Sequence, residues 1–107
     1  MTLTIIPIPD ASLEQLASVA GWHETSVEPG QRVAHHHHAF QATYFTFGIP
    51  TLVSNDGEVS LPRSAMVIIP GGVEHGWLGP KSGGKATIGH FHDGHGDHYV
   101  EKVVLNG

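Results

Sequence analysis

Cysteine is absent from this chain of 107 residues, which excludes disulfide staples, thiolate nucleophiles and thiolate-held zinc or iron–sulfur centres. Any metal must then sit on nitrogen and oxygen. Basic residues are scarce: five Lys and Arg stand against ten Asp and Glu, for a formal charge of −5, so no cationic surface is on offer to a phosphate backbone. Nucleic-acid binding is not expected. Long apolar runs are missing too, with stretches such as Ala65 to Pro70 falling far short of the roughly 20 residues that cross a bilayer. Met1 to Pro9 has neither the basic start nor the small-residue cleavage site of a secretory leader. These features predict a soluble, cytoplasmic protein with no membrane partner. The length allows one core and so one domain over 1–107, with a strand and a helix in 1–20 and the remainder in 21–107. Apolar content of 39% together with 14 Gly is that of an ordinary globular chain.

Against these absences stands histidine, ten residues in all. Imidazole is the commonest metal ligand among side chains. Four of the ten form the run His35 to His38, a third of the way along the chain and away from the termini where a purification tag would sit.

The first twenty residues suggest an extended N-terminal segment and then a short helix through Ala20. Asp10 or Ser12 is placed to cap it, and Leu13, Leu16 and Val19 recur at helical spacing. After Gly21 the texture changes to short stretches rich in Val, Ile, Thr, Tyr, Phe and Trp. Pro or Gly interrupts them every eight to twelve residues, as at Pro29-Gly30, Gly48-Ile49-Pro50, Pro70-Gly71-Gly72 and Gly83-Gly84. That rhythm predicts an all-β sandwich or barrel. Asp56-Gly57 between Thr51-Leu52-Val53 and Val59 to Leu61 reads as a tight hairpin turn. Further strands are expected over Trp22 to Val27, Gln31 to Ala39, Ala42 to Phe47, Ala65 to Ile69, His75 to Leu78, Lys85 to His92 and Tyr99 to Leu105.

On a strand, alternate side chains share a face, so His35 pairs with His37 and His36 with His38. Either pair can chelate. Gln41 and His75 are the obvious sources of further ligands, His75 following the turn Pro70-Gly71-Gly72. In the tail, His90 and His92 share a face with Ile88, while His95 and His98 lie in a Gly-rich stretch with Asp93 and Asp97. The aromatic set Tyr44, Phe45, Phe47, Trp77 and Phe91 alternates between faces, and its inward members would line an apolar pocket or fill a core. No Ser-centred elbow, phosphate loop or paired-carboxylate motif is present to suggest other chemistry.

The spacing of these residues resembles the two signatures of the cupin superfamily, small double-stranded β-helix or jelly-roll barrels. The first signature runs Gly, five residues, His-x-His, three or four residues, Glu, six residues, Gly. Here His35-x-His37, three residues, Gln41, six residues and Gly48 agree with it. The second runs Gly, five residues, Pro-x-Gly, two residues, His, three residues, Asn, and here Ser64, Pro70-x-Gly72, His75 and Gly79 keep every interval. The two glycine anchors of the first signature disagree: Gly30 fits His36-x-His38, while Gly48 fits His35-x-His37. Gln41 stands where the family has an acid.

The resemblance implies a jelly-roll barrel with one short N-terminal helix. It also implies one divalent transition-metal ion, Fe, Mn, Ni, Cu or Zn, held by His35, His37, Gln41 and His75. A small oxygenated organic substrate would then be handled by dioxygenase-like, isomerase or lyase chemistry. The chain is also similar to the sensor domain of arabinose-type transcription regulators, which implies instead a non-catalytic small-molecule or sugar-binding module. A homodimer that buries Leu3, Ile5 and Ile6 is expected on either reading.

Overall fold

The computed structural model describes residues 3–91 and 104–106. Its elements are β1 (Thr4–Pro7), α1 (Asp10–Ala17), β2 (Trp22–Val27), β3 (Gln31–His36), β4 (Ala42–Phe47), β5 (Thr51–Ser54), β6 (Gly57–Ser60), β7 (Ser64–Ile69), β8 (His75–Leu78), β9 (Ala86–Phe91) and β10 (Val104–Asn106). The strands form two antiparallel five-stranded sheets, one in the order β1-β7-β4-β9-β2 and the other β10-β3-β8-β5-β6.

Period-2 patterning places the core between them. In β4, Ala42, Tyr44 and Thr46 are buried while Thr43, Phe45 and Phe47 are half-buried on the opposite face. In β7 the inward set is Ala65, Val67 and Ile69. From the second sheet, Val33, Leu52 and Trp77 meet them in one cluster. Leu3 and Ile5 pack against the edge of this core, which docks β1 beside β7 in the register Ile5↔Val67.

Helix α1 is shorter than the periodicity predicts. Its N-cap is Pro9 and makes no side-chain cap, because Asp10 lies in the first turn and its carboxylate reaches Arg63 Nε at 3.1 Å and accepts from Ser64 Oγ. The helix stops at Ala17, where the Ser18 amide and hydroxyl both donate to the Gln15 carbonyl. The β5–β6 turn also differs by one residue. Ser54 pairs with Gly57, so Asn55-Asp56 forms the loop and Gly57, at φ 110°, opens the returning strand. The left-handed conformation that makes glycine necessary thus falls after the turn.

The departure that matters for function is in β3. Val33 pairs with Trp77 and His36 with His75. Two residues of β3, Ala34 and His35, therefore lie opposite the single residue Gly76. This is a β-bulge, and one extra residue reverses which face the following side chains take.

Candidate metal centre

The bulge decides which histidines meet. From Val33, which is buried, strict alternation would carry His35 and His37 inward; the added residue carries His36 and His38 inward instead. His35 and His37 are exposed, His36 is half-buried and His38 is 7% exposed. Gln41 is exposed as well. Of the expected set His35, His37, Gln41 and His75, the structure thus brings only His75 to the centre, and its neighbours there are His36 and His38. The upstream anchor Gly30 states the register correctly, and the downstream anchors Gln41 and Gly48 do not.

His36, His38 and His75 each direct one ring nitrogen to a common region, all within 4.8 Å of one another. The ring centroids are 4.5 Å apart for His36–His75, 4.9 Å for His36–His38 and 5.4 Å for His38–His75. Backbone carbonyls fix two of the rings. His36 Nδ1 donates to the Ala34 carbonyl at 2.8 Å, and His75 Nδ1 donates to the Val73 carbonyl at 3.0 Å. A carbonyl only accepts, so the proton resides on Nδ1 in both rings and the lone pair on Nε2. This is the outer-shell arrangement that orients metal-binding imidazoles and raises their basicity.

His38 lies beyond the end of β3, and the Pro70-Gly71-Gly72 turn holds it. The Gly72 amide donates to the His38 carbonyl at 2.8 Å. A Cβ on Gly71 would stand 2.6 Å from the Ala39 carbonyl oxygen, so this close approach of turn and loop requires glycine.

Beneath the three imidazoles lies Tyr44, fully buried. Its hydroxyl is 2.8 Å from His38 Nε2 and 3.4 Å from His75 Nε2. Trp77, also fully buried, packs edge-on against Tyr44 at 5.2 Å and against His75 at 6.2 Å. Beside Tyr44, on the neighbouring strand β9, lies His90, inward and 2% exposed, 6.1 Å from the Tyr44 ring and stacked on His23 of β2 at 5.6 Å. His92, His95 and His98, with Asp93 and Asp97, lie outside the described residues. The other aromatics point away: Phe45 and Phe91 pack with Trp22 on the outer face of the first sheet. Phe45, Phe47 and Trp22 line a separate cavity of about 420 Å³ beside α1.

Three neutral imidazole nitrogens suit Zn, Cu, Fe or Ni, and the converging lone pairs fit such an ion. Sequence reasoning names Tyr44 among the aromatics whose inward members line a pocket, as its place between Ala42 and Thr46 bears out, but not its hydroxyl beside His38 and His75.

No family profile and no curated protein matches the chain. Among solved structures, it is similar to a cupin-2 domain containing protein from Shewanella frigidimarina, with a TM-score of 0.51 and 21% sequence identity over 79% of this chain and 94% of that one. Two facing antiparallel sheets, the single short helix among the described residues and this likeness together identify the fold as that of a cupin.

Proposed function

We propose that the chain is a single metal-binding cupin domain in which His36, His38 and His75 hold one divalent first-row ion, and that a small oxygen-bearing organic molecule binds beside it. One observation carries this reading: three imidazoles from two strands and a loop converge, two with Nδ1 protons committed to backbone carbonyls. Such an ion supplies Lewis acidity or activation of oxygen to a bound substrate. The chain's own contribution is orientation and shielding. The bulge sets His36, the turn at Gly72 holds His38, and Trp77 and Tyr44 keep the inner side of the site away from water.

Within this reading the domain is a metal-dependent enzyme of the dioxygenase, isomerase or lyase kind. The same centre without turnover would make it a small-molecule-binding or sensor module. Elemental analysis of protein purified without an affinity column tests the common part: about one ion per chain is expected, and none in His75→Ala. Wild-type protein with no stoichiometric metal would overturn the reading. Incubation of the loaded protein with candidate hydroxy acids and diketones then separates turnover from binding. The same proposal includes a homodimer formed along β1.

A further inference from the structure

We infer that Tyr44 is the fourth ligand of the metal centre, binding through its hydroxyl oxygen and supplying the negative charge that the three imidazoles lack. The inference rests on the metal-binding reading above and goes beyond it in naming the oxygen donor.

Geometry is the first argument. Metal–nitrogen and metal–oxygen bonds of about 2.0–2.2 Å place neighbouring ligand atoms about 3.0 Å apart at right angles and about 3.4 Å apart at tetrahedral angles. The Tyr44 oxygen lies 2.8 Å from His38 Nε2 and 3.4 Å from His75 Nε2. These are the edge lengths of a coordination polyhedron with the hydroxyl at one corner. The ring is fully buried and braced by Trp77 at 5.2 Å, His75 at 5.8 Å and His90 at 6.1 Å, so the oxygen cannot swing away to solvent.

Charge is the second. A divalent ion on three neutral imidazoles keeps both its charges, and burying net charge without an anion is costly. Among the described residues, the group that converges on the site contains no carboxylate, and Gln41, expected as its oxygen donor, is exposed. Tyr44 brings an acidic oxygen to the place where charge is needed. On binding, the O–H bond breaks, its electron pair forms the metal–oxygen bond, and the proton passes to buffer. No electron changes hands.

The chain has two tyrosines, Tyr44 and Tyr99, the latter outside the described residues, and this makes the test selective. One equivalent of Cu(II) is added to metal-free wild-type protein and to the Tyr44→Phe, Tyr99→Phe and His75→Ala variants. Absorption and resonance Raman spectra are then recorded. The expected result is a visible phenolate-to-copper band with tyrosinate ring modes in wild type and in Tyr99→Phe, where Tyr44 is the only source of such modes. Tyr44→Phe should lose the band and still bind one Cu(II), with a dissociation constant raised about tenfold or more. The Tyr99→Phe spectrum decides the matter even if Tyr44→Phe does not fold. One Cu(II) bound in a His75-dependent way with no tyrosinate signature would overturn the Tyr44 assignment and leave the three-histidine centre standing. A signature that vanishes in Tyr99→Phe would overturn it too. Copper binding that ignores His75→Ala would overturn both.

Discussion

Gly76 faces the point where β3 carries one residue too many: a Cβ on Gly76 would stand 2.8 Å from His35 Cδ2 and 2.8 Å from the Val33 carbonyl oxygen. The bulge and the glycine are therefore one device. With Ala34 and His35 both opposite a single residue, the backbone of β3 crowds β8, and only a residue without a side chain fits beneath it.

Gly76→Ala should then disturb the centre without touching any candidate ligand. Overpacking of this kind costs about 1–3 kcal/mol, and relief requires β3 to move or to surrender its extra residue, which would turn His36 outward. The expected outcome is a lower melting temperature with metal affinity reduced by at least about tenfold. Metal titration by calorimetry checks it, and unchanged affinity in a folded variant would show that the bulge does not position His36.

Substitutions along the histidine run should alternate in effect. His36→Ala and His38→Ala each remove a converging nitrogen and should abolish stoichiometric metal. His35→Ala and His37→Ala, at exposed positions, should leave one ion per chain. Gln41→Glu should leave affinity unchanged, since the side chain is exposed. Elemental analysis of the five variants reads all of this, and the reverse pattern would restore the register that Gln41 and Gly48 suggest.

The strands Trp22–Val27, Ala42–Phe47 and His75–Leu78 were legible to the residue, because alternation and β-branched or aromatic content both mark them. One of the three converging histidines was legible too: His75 follows its glycine turn in sequence, and nothing intervenes to change its face. The choice between the two histidine pairs was not. A bulge leaves no mark in the strand that carries it, and the residue that permits this one, Gly76, lies 40 positions on from His36. Helix α1 was overextended for a related reason: Val19 keeps the helical period, but Ser18 turns its amide and hydroxyl back onto Gln15.

Metal should stabilise the fold as well as enable chemistry. The three imidazoles come from β3, the loop after it and β8, so an ion that binds only the folded chain links the second sheet to the loop and raises stability by mass action. The gain is about 2.7 kcal/mol when the free ion is at 100 times its dissociation constant. Thermal melts with and without excess ion should differ by several degrees, and the difference should disappear in His75→Ala. An equal shift in that variant would mean the ion binds elsewhere.

The last prediction concerns assembly through β1. Among the described residues, this strand is the edge of the first sheet and pairs on one side only, with β7. Leu3 and Ile5 are half-buried against the chain's own core, so of the three apolar residues expected to lose solvent on association Ile6 has the most to lose. Ile6 is 39% exposed and pairs with Met66 on the outer face, where Met66 and Ile68 are half-buried. An unpaired edge with an apolar residue beside it is a surface a second copy can cover by a two-fold contact. Light scattering at micromolar concentration should therefore give about twice the chain mass. Ile6→Glu, which places a charge on that surface without disturbing Leu3 or Ile5, should shift the mass to that of one chain with little change in the melting temperature of the dilute protein. A wild-type mass of one chain would sink the proposal, and a dimer unaffected by Ile6→Glu would move the interface away from β1.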